Sequence, residues 1–341
     1  MSVTVPSFSV ISGAQVQDVL TGREKKMAEL IESTYRLHGA DGTVNPPSYF
    51  LRFPNRPASR IIALPASLGG DSAVDGLKWI SSFPENVDKG IPRASAVLIL
   101  NDPTTGYPFA CLESSVISAV RTAASAALAA DWLSRDRNRP TRIGFFGSGL
   151  ISRFIHTHLA GTGWSFDEIG VYDVSASHSQ GFREYLDRSA AGPVTVHASA
   201  QDLIESSDLV VFATVSGTPH VHTSDWFSHN PLVLHVSLRD LAPDILLRST
   251  NIVDDVEHCL KANTSPHLTE QQTGNRKFVA GTLYDVMCGD VKIPVDRPVV
   301  FSPFGLGVLD LAVGNYVYQE IRSAGRLNII EDFHSELRRY G

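Results

Sequence analysis

Two glycines near the middle of the chain stand where an apolar run gives way to a helical pattern. Ile143, Phe145 and Phe146 form the apolar run, which is typical of a parallel strand buried on both faces. Gly147 and Gly149 match the first two positions of G-x-G-x-x-G, where the backbone turns tightly and approaches a pyrophosphate. Apolar residues at helical spacing follow, so the first amides of a helix would point at the phosphates. The pattern predicts a dinucleotide site whose contacts come from Gly147, Ser148, Gly149, Leu150 and Ile151.

The next motif position and a later acid refine this prediction. Ser152 stands where the motif has Gly or Ala, and we expect the packing of helix on strand to tolerate its hydroxyl. The apolar run from Ile169 to Tyr172 ends in Asp173, near the expected offset of about 20 residues. A carboxylate there accepts hydrogen bonds from both ribose hydroxyls and repels a 2′-phosphate. We therefore expect NAD as the cofactor; the alternative is that the glycines only form a turn.

Other predicted strands also end in residues suited to a ligand, because ligands in such folds lie beyond the carboxyl ends of the strands. Asp240 follows the run Leu234 to Leu238 and is a candidate proton acceptor. The alternative is an N-cap for a helix over Leu241 to Leu247. Groups at two further strand ends are expected to approach the cofactor, namely Thr214, Ser216, Ser302 and Gly305.

Positively charged side chains interrupt apolar segments in the first third of the chain. Lys78 lies between Leu77 and Trp79, so it is either a binding or catalytic residue or a side chain that extends to solvent from a half-buried strand. Arginines recur on the neighbouring segments: Arg52, Arg60, Arg93 and Arg121. Guanidinium groups pair with carboxylates in bidentate fashion, so their convergence would form a carboxylate-binding site. A surface role is the most natural alternative for Arg60.

Four histidines cluster in the second half without the spacing of a metal site. They are His220, His222, His229 and His235. We expect each to be hydrogen-bonded or solvated, and we expect no metal centre.

The chain opens with a strand-like segment and an amphipathic helix that carries apolar residues from Val16 to Tyr35. Short β-like runs follow at 49–53, 60–64, 76–80 and 94–100, which favours a mostly antiparallel sheet. The turn-rich segment NDPTTGY leads to another strand. An alanine-rich helix is then predicted from Ser114 to Arg135.

After the glycine turn, strands and helices alternate as in a doubly wound parallel sheet. Strands are expected at 169–174, 194–197, 209–214, 232–237, 251–255 and 299–302, with helices and polar loops over 257–295. A final helix from Val308 to about Ile321 precedes a charged tail. The predicted fold class is α/β, a Rossmann-type doubly wound parallel sheet plus a discontinuous α+β substrate-binding and dimerisation domain. We place the latter at 1–118 and 315–341 and the NAD-binding domain at 119–314.

Composition limits the classes of function. With 341 residues and 43% hydrophobic content, the chain can bury the cores of roughly two domains. A net charge of −7 argues against a general nucleic-acid or anionic-membrane binder. Three cysteines at unrelated spacings, the absence of a secretory signal and the absence of an uninterrupted membrane-length apolar run predict a cytoplasmic protein.

The segments GLKWI, LILNDPTTGYPFACLESSVISAVRTAA, IGFFGSGLIS and FSPFGLGVLDL resemble the ornithine cyclodeaminase and mu-crystallin family over nearly the whole chain. Within it, RIIALPASLGG, GLKWISS and NDPTTGYPFACLESS look most like the siderophore-pathway branch. Enzymes of that branch oxidise N-(2-amino-2-carboxyethyl)-L-glutamate and supply 2,3-diaminopropionate. The resemblance implies an NAD-dependent dehydrogenase and a homodimer whose first domain builds the substrate pocket and the interface.

The resemblance also implies roles for individual residues. Lys78 and Arg121 match residues that bind the substrate carboxylate, and Arg52 matches a further binding arginine. Asp240 matches the acid associated with catalysis, and Thr122 matches a cofactor contact. The implied substrate is an amino acid with three carboxylates, which suits several cations. Whether Asp240 or Lys78 takes the proton stays open.

Two other readings remain. One is an ornithine-type cyclodeaminase, or another amino-acid or imine oxidoreductase on the same scaffold. The other is a non-catalytic nucleotide-binding regulator of the crystallin type, which the presence of Lys78, Arg121 and Asp240 disfavours.

Overall fold

The computed structural model describes residues 5–189 and 192–335. The strands within these residues are β1 Phe8–Ile11, β2 Thr43–Val44, β3 Tyr49–Phe53, β4 Arg56–Leu68, β5 Val74–Ser82, β6 Ala94–Asn101, β7 Pro108–Glu113, β8 Arg142–Phe146, β9 Glu168–Tyr172, β10 Val194–Val196, β11 Leu209–Phe212, β12 Leu232–His235, β13 Thr250–Val253, β14 Val279–Thr282, β15 Val299–Ser302 and β16 Asn328–Ile330. The α-helices are α1 Gly13–Leu20, α2 Glu24–Gly39, α3 Ser115–Leu133, α4 Leu150–Gly161, α5 Ala176–Arg188, α6 Ala200–Glu205, α7 Pro243–Leu247, α8 Val256–Cys259, α9 Ser265–Thr273, α10 Leu283–Cys288 and α11 Gly307–Ser323.

The chain divides into two compact units. The first combines both ends of the chain, Met1–Arg121 with Leu306–Gly341, and the second is Thr122–Gly305. The boundaries expected from the sequence, after residues 118 and 314, differ from these. The second expected boundary would cut α11, whose buried side chains pack as one element against β4, β5 and β6 of the first unit.

The first unit is built on a mostly antiparallel sheet, as predicted. The strand order is β16-β1-β7-β6-β5-β4-β2, with β3 paired to β4. The pair β1 and β7 is parallel. A Cβ added at Gly76 would approach Leu311 of α11 to 2.7 Å, so α11 covers the sheet face to which Gly76 belongs. Residues two apart in a strand share a face, so Lys78 lies on this core face too.

The first unit departs from the predicted elements at two places. The single helix expected through Tyr35 is two helices, because Thr21 is extended with ψ 129° and Gly22 has φ +74°. The expected charged tail contains β16, which pairs antiparallel with β1. Three residues, Asn-Ile-Ile, are too short a run to be distinguished from a tail by pattern alone.

Helix α3 carries the alanine-rich segment and is mostly buried. Its length and composition alone would permit a membrane span, but the core helix of a compact protein passes the same test. Small side chains such as Ala123, Ala126 and Ala130 are fully buried, which lets neighbouring elements approach the helix closely.

The second unit holds a parallel sheet in the order β10-β9-β8-β11-β12-β15-β13-β14. The central strand β8 pairs with β9 on one side and β11 on the other, both in parallel. This is the predicted Rossmann-type, doubly wound arrangement, in which ligands lie at the carboxyl ends near the point where strand order reverses. Strand β14 falls within a segment that the sequence assigned to helices and polar loops.

Candidate functional site

The glycine turn joins β8 to α4, as predicted. Gly147 has φ +96°, and a Cβ there would lie 2.7 Å from the carbonyl oxygen of Ala213, so the position requires glycine. Ser152 is fully buried, and its Oγ donates a hydrogen bond of 2.5 Å to the carbonyl oxygen of Gly147. The serine that departs from the motif therefore fixes the turn by a hydrogen bond.

The first amides of α4 are open to a ligand. Gly149 is the N-cap, no side chain caps the helix, and its first turn has no acidic residue. A Cβ at Gly149 would meet nothing within 4 Å. By contrast, Ser175 and Ser199 cap α5 and α6 with their side chains. Uncapped N–H groups without nearby negative charge suit a phosphate, so this helix end fits the pyrophosphate of a dinucleotide.

Asp173 follows β9 and connects it to the glycine turn. Its Oδ2 accepts a hydrogen bond of 2.9 Å from the backbone N–H of Ser148, and its Oδ1 accepts one of 2.9 Å from Ser175. Each carboxylate oxygen keeps a further lone pair. The side chain is 15% exposed, so these lone pairs are accessible to ribose hydroxyls. The turn, the helix end and this acid together fit NAD.

Asp240 lies beyond β12 and is fully buried. Thr214 Oγ1 donates to Oδ1 over 2.5 Å, and Ser237 Oγ donates to Oδ2. Leu238, two residues before Asp240, has φ +71°, a conformation that bulky residues rarely adopt. The N-cap alternative is wrong, because α7 begins at Pro243 with Ala242 as its N-cap.

A histidine behind Asp240 links it to the end of β15. His235 Nε2 lies 3.1 Å from the backbone nitrogen of Asp240 and 3.2 Å from its Oδ2, while Nδ1 lies 3.2 Å from Ser302 Oγ. The backbone N–H of Asp240 donates to Nε2, so the ring proton lies on Nδ1 and is donated to Ser302 Oγ. Burial tends to raise the pKa of Asp240, but the neighbouring His235 and the hydrogen bonds from Ser237 and Thr214 outweigh it and hold that pKa below its usual value. Asp240 therefore stays ionised at neutral pH.

The predicted cofactor contacts at the other strand ends have partners within the protein. The backbone N–H of Ser216 donates to Thr214 Oγ1 over 3.1 Å. Ser302 is buried against His235, so its hydroxyl acts through that histidine. The N–H groups of Phe304 and Gly305 donate to the buried carboxylate of Asp254 over 2.9 and 2.6 Å. The amide of Gly305 is therefore directed at Asp254, and not at a ligand as the sequence suggested.

Lys78 of β5 is 1% exposed and does not extend to solvent. Its Nζ lies 2.6 Å from Asp310 Oδ2 and 3.3 Å from Ser118 Oγ. Burial lowers the pKa of Lys78 to about 8; Asp310 opposes this shift and Arg121 adds to it. Lys78 can therefore gain and lose a proton near neutral pH.

Arg121 of α3 meets the same carboxylate. Its Nε lies 3.2 Å from Asp310 Oδ1, and its side chain is 13% exposed. Asp310 thus joins two predicted substrate-binding cations in one buried cluster, and sequence reasoning gave it no role. The sequence does contain an indication of this role: Asp310 lies within the apolar run GLGVLDLAV, and a carboxylate buried in such a run needs a cationic or hydrogen-bonding partner. Thr122 follows Arg121 on α3 and belongs to the second unit.

Three more arginines lie on or next to the strands beside Lys78. Arg52 of β3 pairs in register with Arg60 of β4, and Arg60 pairs with Ser82 of β5. Opposed residues share a face, so Arg52 and Arg60 lie on the Lys78 face. Arg93, just before β6, donates to Ser82 Oγ over 2.7 Å. The structure thus places Arg52 and Arg60 on the face of Lys78 and Arg93 next to Ser82; the convergence of these cations on a substrate carboxylate stays a prediction.

The other three histidines of the predicted cluster lie in ordinary hydrogen-bonded or solvated positions. His229 Nε2 contacts the carbonyl oxygen of Ser207 at 2.9 Å, and His220 Nε2 lies 3.7 Å from Asp240 Oδ1. His222 is exposed. Over residues 5–189 and 192–335, no group of three His, Cys, Asp or Glu side chains has the geometry of a metal site.

Comparison with known proteins gives likenesses over nearly the whole chain. The profile of the ornithine cyclodeaminase/mu-crystallin family matches residues 13–325. An N-((2S)-2-amino-2-carboxyethyl)-L-glutamate dehydrogenase of Staphylococcus aureus is 28% identical over 272 residues, which cover 77% of this chain and 79% of the relative. An archaeal alanine dehydrogenase dimer with bound NAD is 25% identical, with a TM-score of 0.84 over 96% of this chain and 100% of that one. The Thermococcus litoralis Δ1-pyrroline-2-carboxylate reductase, in complex with NADH and L-proline, shares the fold at 22% identity, with a TM-score of 0.87 over 95% of this chain and 100% of that one.

Proposed function

The chain belongs to the ornithine cyclodeaminase/mu-crystallin family and is an NAD-dependent oxidoreductase, and from this premise we propose that it oxidises N-(2-amino-2-carboxyethyl)-L-glutamate. The proposed products are 2-oxoglutarate and L-2,3-diaminopropionate, a siderophore precursor. The likeness to the Staphylococcus aureus dehydrogenase supports this choice of substrate within the family.

The proposed reaction breaks the bond between nitrogen and the glutamate Cα. NAD⁺, when bound, supplies the hydride acceptor. The glutamate Cα loses its hydrogen as a hydride, and the nitrogen loses a proton. The C–N single bond thereby becomes the double bond of an imine. Water adds to the imine carbon, and the C–N bond then breaks. The nitrogen leaves on 2,3-diaminopropionate, and the carbonyl remains on 2-oxoglutarate.

The observation that carries the substrate class is the excess of cations on the Lys78 face. Lys78 and Arg121 share one carboxylate, Asp310, so this cluster keeps one net positive charge while Lys78 is protonated, and Arg121 stays a cation after Lys78 has released its proton. Arg52 adds a further guanidinium group on the same face. A substrate with three carboxylates uses such a face, whereas an amino acid with one carboxylate has no need of it.

Lys78 and Asp240 receive different roles in this proposal. A general base works best with a pKa near the operating pH, and the pKa of Lys78 is about 8. The pKa of Asp240 is held below its usual value, and its oxygens already accept from Thr214 and Ser237. We therefore assign the proton on nitrogen to Lys78. Asp240, which stays ionised, receives an electrostatic role in place of proton transfer.

The rival within the family is a cyclodeaminase. Such a reaction returns the hydride to a ring imine and leaves no net NADH. We expect the purified protein with NAD⁺ and N-(2-amino-2-carboxyethyl)-L-glutamate to form NADH and 2-oxoglutarate in equal amounts. If the protein instead forms proline from ornithine and forms no NADH from the proposed substrate, our proposal is wrong and the protein is a cyclodeaminase.

Two substitutions separate an enzyme from a non-catalytic nucleotide-binding protein. Lys78→Met and Asp240→Asn should each lower kcat by about 100-fold or more, because the first removes the proposed proton acceptor and the second removes a carboxylate charge. Lys89→Met, at an exposed lysine, is the matched control and should keep wild-type rates. Unchanged turnover in both site variants would contradict the catalytic roles.

We further propose a homodimer, and the outer face of the first sheet supports it. A cross-strand row of apolar residues, Tyr49, Ala63, Trp79 and Val97, lies on the face opposite Lys78. Tyr49 is 66% exposed, and Trp79 and Val97 are each 39% exposed. Continuous exposed apolar surface of this kind marks a protein interface. The NAD-bound archaeal relative is a dimer.

A further inference from the structure

The guanidinium of Arg93 is partly buried beside the sheet face of Lys78 and has a neutral partner. Its Nη1 donates to Ser82 Oγ over 2.7 Å. Among the residues that the structure describes, neither Arg93 nor Arg52 forms an ion pair with a carboxylate. Burial lowers the pKa of Arg93, as expected for a cation without a countercharge. A half-buried cation of this kind is costly unless an anion joins it.

The position of Ser82 fixes where such an anion would lie. Ser82 and Lys78 belong to one regular strand, four residues apart and on the same face. At about 3.3 Å per residue, their backbone positions are about 13 Å apart. A ligand that reaches both cations is therefore longer than an amino acid with a single carboxylate.

The surface between the two cations is apolar. Ile80 of β5 lies between Lys78 and Ser82, opposite Ile62 of β4, which lies opposite Phe50 of β3. All three side chains are partly exposed on this face. A ligand that spans the row would place methylene groups over it and negative charge at each end.

We propose that Arg93, held by Ser82, binds a second carboxylate of the substrate, so that the Lys78 face selects extended dicarboxylates and tricarboxylates. This inference rests on the proposed function for the identity of the reaction. It goes further in naming the residue that recognises the distal carboxylate. In the proposed substrate that group is the side-chain carboxylate of the glutamate portion, separated from the reacting carbon by two methylene groups.

Matched ligands test this subsite by binding alone. We would titrate the NADH-loaded protein calorimetrically with 2-oxoglutarate and with 2-oxopentanoate, which has the same chain length and lacks the second carboxylate. The wild type should bind 2-oxoglutarate about 10- to 100-fold more tightly, the range of a charge-assisted hydrogen bond. Arg93→Met should lose this preference, and Arg93→Lys should keep part of it. Arg326→Met, at an exposed arginine paired with Asp18, should retain it.

A thermal melt separates recognition from a structural role. Replacing an uncompensated buried cation by Met should maintain or raise the midpoint of unfolding without ligand, whereas loss of a structural clamp would lower it. A preference for 2-oxoglutarate that survives in Arg93→Met, or that is absent from the wild type, would overturn the proposal. A protein that shows the Arg93-dependent preference but makes no NADH from the proposed substrate would retain this subsite and refute the proposed reaction.

Discussion

Burial and ion pairing have opposite effects on the pKa of Lys78. Burial disfavours the charged amine, Asp310 at 2.6 Å favours it, and the result is a pKa of about 8 against an ordinary 10.5. Below pH 8 the amine is protonated in both the folded and the unfolded protein, and above 10.5 it is neutral in both. Between these values the unfolded chain holds a proton that the folded protein has released, so stability rises with pH. A shift of this size corresponds to about 3 kcal/mol.

The measurement is the free energy of unfolding of the wild type and of Lys78→Met by denaturant titration from pH 7 to pH 10.5. The difference between the two proteins cancels the titration of groups that they share. We expect the wild type to gain about 3 kcal/mol relative to Lys78→Met over this range. Lys89→Met, which removes an exposed amine, should show a flat difference from the wild type.

Two outcomes would refute this reasoning. A flat difference for Lys78→Met would mean that burial and the ion pair with Asp310 cancel. A decrease with pH would mean that the ion pair outweighs burial and raises the pKa. Either result would also remove Lys78 as the proton acceptor near neutral pH. If the pKa of Lys78 is about 8, we expect kcat/KM to rise with pH and to level off above about pH 8, where the amine is deprotonated.

Two further predictions concern the cofactor and the assembly. Asp173→Ser should relax discrimination against NADP by about 10-fold or more, measured as the ratio of kcat/KM for the two cofactors, because the carboxylate repels a 2′-phosphate; an unaltered ratio would place Asp173 away from the ribose. Trp79→Glu should convert the proposed dimer to a monomer in light scattering, because it introduces charge into the exposed apolar row, and a wild-type mass for that variant would contradict the proposed interface.

Local pattern was sufficient for much of the fold. Strands β3 and β15 have the predicted bounds, and the glycine turn lies between a buried strand and a helix, because apolar spacing and glycine chemistry act over a few residues. The break after α1 was missed because Thr21 and Gly22 interrupt a helical pattern that resumes at once. Strands β14 and β16 were missed because each is short and depends on a partner strand far along the chain.

For the candidate site too, the sequence identified individual residues but not the partners that the fold brings next to them. Lys78, Arg121 and Asp240 are visible in the sequence as charges next to apolar segments. The environments of these residues are not visible in the sequence. Asp310 is distant from Lys78 along the chain, and only the folded structure brings it next to Lys78 and shows how His235 is placed beside Asp240. The sequence therefore left the proton acceptor open between Lys78 and Asp240. The hydrogen bonds around Asp240 and the burial of Lys78 give the two groups different pKa values.

The discontinuity of the first unit has a consequence for how the protein is made. Lys78 and Arg121 emerge early from the ribosome, whereas Asp310 arrives with the last tenth or so of the chain. The second unit is contiguous, from Thr122 to Gly305, so it can fold while synthesis continues. The first unit cannot bury its lysine beside a carboxylate until α11 has been translated. Closure of the first unit is thus a late event, and a nascent chain that stops before Asp310 would expose the sheet face on which α11 lies.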